Sequence, residues 1–72
     1  MQQFRVLAGA CVEIRKQDGK QWQDYTTTKQ TTLDEPIRRN RSSVVFAAAG
    51  WLLRVKVDDV QIYNGLRWVR MK

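Results

Sequence analysis

No internal disulfide or zinc site can hold this chain together. Cys11 is the only cysteine and histidine is absent, so the donors that either kind of link needs are missing. A chain of 72 residues buries only about 60% of its unfolded surface, which makes its core thin. We therefore expect a single small domain over residues 1–72, and we leave open a homodimer, which would bury more surface.

The composition is typical of a folded cytoplasmic protein. Apolar residues make up 43% of the chain, and there is one proline and no low-complexity segment. The N-terminus lacks the basic, apolar and small-residue regions of a signal peptide. The longest apolar run, Val44 to Leu53, is too short to span a bilayer and is interrupted by Gly50. We expect no membrane partner.

A long β-hairpin is predicted at the N-terminus. The segment from Phe4 to Arg15 carries branched apolar residues with small ones between them, and residues 21–31 are rich in aromatic residues and threonine, which suit a strand. Between them, Asp18-Gly19 supplies the reversal.

The register of this hairpin depends on two carboxylates. A two-residue turn at Asp18-Gly19 would place Glu13 directly opposite Asp24, and facing like charges destabilise a strand pair. A three-residue loop over residues 17–19, with Gly19 in the left-handed region, instead pairs Ile14 with Trp22. We favour the three-residue loop.

The middle of the chain, residues 32–50, is predicted as a helix. Thr32 or Asp34 can cap its first turn, where Pro36 is tolerated, and Gly50 can end it. At about 100° per residue, one helix face collects the apolar side chains Ile37, Val44, Ala48, Trp51 and Leu52. Two observations argue against a helix here. Residues 40–43 are weak helix formers, and residues 43–46 would also serve as a strand.

The C-terminal part is predicted as an antiparallel β-meander. Leu53, Val55 and Val57 alternate with basic residues, and Asp58-Asp59 marks a reversal. Asn64-Gly65 predicts a type I′ hairpin with Gly65 at positive φ. In that register Tyr63 meets Leu66 and Val60 meets Val69, while Tyr63, Trp68 and Arg70 share one face. The expected fold class is α+β, with an N-terminal β-hairpin, one helix and the meander; the alternative is a small all-β barrel.

The chain offers little for catalysis. It lacks histidine, and Cys11 lies among small and apolar residues of a predicted strand, where a buried, inert thiol is expected. Glu13 and Asp24 are interpreted as solvated surface acids. We predict no enzyme, and no catalytic, metal-binding or cofactor-binding residue.

The net positive charge is confined to the second half of the chain. Acidic and basic residues balance up to Ile37, whereas from Arg38 onward only Asp58 and Asp59 oppose the basic residues that give the net charge of +6. Such a surface attracts polyanions. The predicted nucleic-acid-binding residues are Arg38, Arg39, Arg41, Arg54, Lys56, Arg67, Trp68 and Arg70.

Two functions compete for this basic surface. The first is a small nucleic-acid-binding accessory or regulatory protein of a bacterial, plasmid or phage genome, which binds DNA or RNA through phosphates and stacks bases on Trp68. The alternative is a protein-interaction module, a small inhibitor or assembly subunit that docks its basic face on an acidic protein. The three tryptophans are otherwise expected in the core. No standard nucleic-acid-binding signature or helix-turn-helix is present.

Overall fold

The fold is built from β-strands. A computed structural model describes residues 2–71, and within this range it contains no α-helix. The strands are β1 Phe4–Val6, β2 Cys11–Lys16, β3 Gln23–Thr26, β4 Thr31–Leu33, β5 Arg38–Arg39, β6 Ser43–Ala48, β7 Trp51–Lys56, β8 Val60–Tyr63 and β9 Trp68–Arg70. The predicted α+β class is therefore wrong, and the all-β alternative fits the structure.

The strands form two antiparallel sheets. The four-stranded sheet has the order β4-β1-β8-β9, and the five-stranded sheet has the order β3-β2-β7-β6-β5. The chain passes between the sheets several times along its length. At Asp58-Asp59, where a reversal was predicted, a 3₁₀ turn, Val57–Asp59, carries the chain from β7 to β8 and so from one sheet to the other. The predicted C-terminal meander is therefore wrong, because β7 and β8 lie in different sheets and do not pair.

The predicted helix over residues 32–50 is replaced by β4, β5 and β6. Strand β6 has a neighbour on each side, because it pairs with both β5 and β7. Its residues Val44, Val45 and Phe46 are all buried. The predicted helical face is not formed, since Ile37 is 61% exposed and Trp51 is 40% exposed. Branched side chains in a strand with two hydrogen-bonded neighbours outweigh a chance match to the helical period.

The core lies between the two sheets. Phe4 and Phe46 meet across it with their ring centroids 5.7 Å apart and their planes at 60°. The other core residues are Val6, Leu33 and Val60 from the four-stranded sheet, and Val12, Val44 and Val55 from the five-stranded sheet. The expectation of a tryptophan core is wrong: Trp22 and Trp68 are half-buried and Trp51 is exposed.

The N-terminal hairpin differs from its prediction in its first strand, its register and its turn. Its first strand is broken by a corner at Leu7–Ala10, where Gly9 has a φ of +85°. The side chain of Thr27 ties this corner, since its Oγ1 donates to the Leu7 carbonyl (2.7 Å) and accepts from the Ala10 amide (2.9 Å). Strands β2 and β3 then pair Glu13 with Asp24, so the register rejected from the sequence is the one formed. Gly19 is not at positive φ.

The C-terminal hairpin has a longer loop than predicted. Tyr63 pairs with Trp68, so four residues connect β8 and β9 and the predicted register is wrong. The side chain of Asn64 organises this loop, because its Oδ1 accepts hydrogen bonds from the amides of Leu66 and Arg67, both at 2.9 Å. Gly65 has a φ of +96°, which confirms that part of the prediction.

The tight two-residue turn lies elsewhere, at Ala49-Gly50. Ala48 pairs with Trp51, and the two residues between them have φ values of +51° and +84°. Positive φ at both central positions is what a type I′ turn requires. Gly50, predicted to end a helix, instead joins β6 to β7.

Candidate functional site

The predicted nucleic-acid-binding residues are divided between the two sheets. Those of the five-stranded sheet and its β5–β6 loop are Arg38, Arg39, Arg41, Arg54 and Lys56. Those of the last hairpin in the four-stranded sheet are Arg67, Trp68 and Arg70. The sequence groups these side chains by charge, whereas the fold distributes them over two surfaces.

Strand β5 directs its two arginines to opposite faces. Arg38 pairs with Val45 and Arg39 with Val44, and successive strand residues alternate between faces. The guanidinium of Arg39 lies 5.9 Å from the centroid of the buried Phe4 ring, so this side chain covers the edge of the core. Arg41 is exposed in the loop that follows. These three arginines therefore do not form one row.

Arg54 is engaged by a carboxylate and an aromatic ring. Its Nε donates to Glu13 Oε1 at 2.8 Å, and its guanidinium lies 4.3 Å from the centroid of Trp22. Arg15 approaches the same ring at 5.2 Å. The hydrogen bond from Arg54 lowers the pKa of Glu13 below its ordinary 4.5, and the same bond raises the pKa of Arg54. Part of the positive charge of Arg54 is thus neutralised within the protein.

The Glu13–Arg54 pair predicts a pH-dependent stability. Because the pKa of Glu13 is lower in the folded than in the unfolded protein, its contribution is present above pH 4.5 and is lost as the pH falls through the folded-state pKa. We expect Glu13→Gln to be less stable than wild type at pH 7 and equally stable in strong acid, as measured by urea unfolding. The matched control is Asp24→Asn, which removes the facing carboxylate and should not reproduce this loss. A difference between Glu13→Gln and wild type that persists unchanged in acid would contradict the prediction.

The outer face of the four-stranded sheet gathers aromatic and basic side chains. Because Phe4, Val6 and Val60 point into the core, alternation places their strand neighbours on the opposite, solvent face. Cross-strand pairing then brings together a patch that we call the aromatic–arginine face: Arg5, Gln61, Tyr63, Trp68 and Arg70.

Direct contacts connect most of this face. Tyr63 and Trp68 are cross-strand partners with ring centroids 5.4 Å apart and planes at 57°. The guanidinium of Arg5 lies 4.4 Å from the Trp68 centroid, within the range of a cation–π interaction. Arg5 Nε also donates to Gln61 Oε1 at 2.6 Å, and Gln61 is the cross-strand partner of Arg70. The face therefore holds its aromatic rings and one arginine in fixed orientations.

Part of this face was predicted from the sequence. The expectation that Tyr63, Trp68 and Arg70 share one face is confirmed by the pairing of β8 with β9. Arg5 was missed. The alternation in Phe4-Arg5-Val6 signals that Arg5 points outward, but its position beside Trp68 follows from pairing between distant segments, which that alternation does not reveal.

The thiol of Cys11 is exposed, in contrast to the expected buried position. Val12 and Ile14 turn toward the core, so alternation along β2 directs Cys11 outward on the same face as Glu13. Within residues 2–71, no three or more His, Cys, Asp and Glu side chains are grouped to hold a metal ion.

Over the same described range, no helix is long and apolar enough to cross a membrane. Comparison with protein-family models finds no family that matches the chain. Comparisons with curated proteins and with solved structures find no match either.

Proposed function

We propose that this protein is a non-enzymatic, cytoplasmic protein-interaction module that docks its aromatic–arginine face on an acidic region of a partner protein. The observation that carries the proposal is the cluster of Arg5, Trp68 and Tyr63, in which Arg5 lies over the Trp68 ring and Tyr63 packs against it. Trp, Tyr and Arg are the residue types most enriched among those that dominate binding energy at protein interfaces. Side chains already held in place lose less freedom on binding.

The arginines give the face its preference for acidic partners. Arg5 and Arg70 lie on it, Arg67 is exposed in the adjoining loop, and none of the five residues that define it is acidic. A guanidinium matches the geometry of a carboxylate through two parallel hydrogen bonds. An aspartate- or glutamate-rich surface is therefore the expected counterpart.

Three features favour a protein over a nucleic acid as the partner. The predicted phosphate-binding residues are divided between two sheets, so they form no single track along one surface. Arg54 is paired with Glu13. One face of the Trp68 ring is covered by Arg5, which leaves less of the ring free to stack a base.

A capture experiment with matched tryptophan variants tests the proposal. Nuclease-treated lysate is passed over immobilised wild type, Trp68→Ala and Trp51→Ala, and the captured protein is identified and its affinity measured. We expect Trp68→Ala to weaken binding by about 2 kcal/mol or more, as at other central interface residues. Trp51→Ala, an exposed tryptophan of the other sheet, should bind as wild type does.

A titration with single-stranded DNA and RNA tests the competing nucleic-acid-binding function. Amide chemical shifts are recorded at low and high salt with a mixed-sequence oligonucleotide. Shifts that cluster at Trp68 and Arg70 and disappear at high salt would overturn the protein-interaction proposal and favour the nucleic-acid-binding function.

A further inference from the structure

The five-stranded sheet is split between β2 and β7. These strands pair from Lys16–Trp51 to Glu13–Arg54, and the ladder ends there. Both strands nevertheless continue: β2 remains paired with β3 up to Cys11–Thr26, and β7 remains paired with β6 up to Ser43–Lys56. The sheet therefore opens into two halves beyond the Glu13–Arg54 ion pair.

Backbone groups of both halves face this split. Hydrogen-bonded and non-hydrogen-bonded pairs alternate along an antiparallel ladder. The amide of Thr27 donates to the Ala10 carbonyl (2.9 Å), so the backbone groups of the next β2 residue, Cys11, point away from β3. The amide of Val57 donates to the Ser42 carbonyl (3.0 Å), so those of Lys56 point away from β6. Cys11 and Lys56 thus direct their amide and carbonyl groups into the split, where the β2–β7 ladder does not pair them.

A groove of about 710 Å³ occupies the split. This volume lies within the usual range of ligand sites, roughly 300–1,000 Å³. Val12 and Val57 contribute buried apolar surface to its lining. The side chains of the two halves differ in charge, because β2 and β3 carry Glu13 and Asp24, whereas β7 carries Arg54 and Lys56.

We propose that this groove binds an extended segment of a partner polypeptide. The main chain of the segment completes the hydrogen bonds of Cys11 and Lys56, in the way that exposed strand edges accept an added strand. Glu13 and Arg54 already neutralise each other, so the charges left for the ligand are Asp24 on one side, and Lys56 with Asp58 on the other. The segment that fits carries a basic side chain toward the acidic groups, Asp24 and Asp58, and an acidic one toward Lys56. This site lies on the other sheet from the aromatic–arginine face and is independent of it.

Hydrogen exchange on the free protein tests the basis of the proposal. We expect the amides of Cys11 and Lys56 to exchange rapidly, whereas those of Glu13 and Arg54 are protected by the ladder. Strong protection of Cys11 and Lys56 in the free protein would mean that the split is closed, and would overturn the proposal.

Peptide titration tests the ligand. The probe is the capped pentapeptide Val-Lys-Val-Glu-Val, which places its two charged side chains on one face of an extended chain. Its control carries an N-methyl group on the central valine, which removes one backbone donor. We expect the parent peptide to shift and protect the amides of Cys11 and Lys56, and the methylated peptide to bind about tenfold more weakly.

Modification of the single thiol gives a second control. Alkylation of Cys11 with N-ethylmaleimide places a bulky group at the groove and should abolish peptide binding, whereas Trp68→Ala should leave it unchanged. Equal binding of the two peptides, or no binding of either, would overturn the proposal. Loss of binding in Trp68→Ala, in a variant that remains folded, would assign the peptide to the aromatic–arginine face instead.

Discussion

Replacing Phe46 with alanine should leave little folded protein at physiological temperature. Phe46 is 1% exposed, and its ring packs on Phe4 of the opposite sheet at 5.7 Å. Removal of a buried phenylalanine ring costs about 3–5 kcal/mol. A domain of this size has a total stability at the low end of about 5–15 kcal/mol, so this loss removes most of it. Urea unfolding followed by far-ultraviolet circular dichroism measures the change without depending on tryptophan fluorescence.

Trp51→Ala is the matched control for Phe46→Ala. Tryptophan is the larger side chain, but Trp51 is 40% exposed at the end of β7, so its removal opens less of the core. We expect a loss of about 1 kcal/mol, as for partly exposed positions. If Trp51→Ala proved more damaging than Phe46→Ala, the core would be centred on tryptophan and the packing described for the two sheets would be wrong.

Gly50→Val should produce the second large loss of stability, about 1–3 kcal/mol. Gly50 has a φ of +84° in the two-residue turn between β6 and β7, and a β-branched residue strongly resists that conformation. A Cβ atom added at Gly50 would meet no heavy atom within 4 Å, so the loss comes from backbone strain and not from a clash. The free energy of unfolding in urea measures it.

Gly65→Val shows whether the C-terminal hairpin loop is as constrained as the Ala49-Gly50 turn. Gly65 also has positive φ, but it lies in an exposed four-residue loop that can redistribute the strain over its neighbours. We expect a smaller loss, about 1 kcal/mol. A larger effect at Gly65 than at Gly50 would show that the C-terminal hairpin, and not the Ala49-Gly50 turn, is the more tightly constrained.

The strand pattern was readable from sequence where local alternation alone decides. Leu53, Val55 and Val57 alternate with basic residues, and the structure has a strand over Trp51–Lys56. Residues 43–48 were assigned to a helix, because the apolar residues of this region fall by chance at helical spacing. This segment is a strand because it pairs with β5 on one side and β7 on the other. A local sequence pattern does not reveal that pairing.

The predicted register of the first hairpin was wrong for a related reason. Two strands considered alone place Glu13 against Asp24 unfavourably, but a third strand brings Arg54 to Glu13 at 2.8 Å. The predicted burial of Cys11 was wrong for a different reason. The outward direction of its side chain follows from the alternation of Val12 and Ile14, so the signal was present in the sequence and was outweighed by the small, apolar neighbours.

The pairing of β1, which lies early in the sequence, depends on β8, which lies far along the chain. Strand β1 lies between β4 and β8, and the contact of Arg5 with Gln61 spans 56 positions. During synthesis on the ribosome, β1 therefore cannot pair with β8 until Tyr63 has emerged. Such long-range pairing slows folding and exposes apolar strands meanwhile. A ribosome that stalls before Val60 would leave one edge of β1 unpaired, as a target for chaperones and proteases.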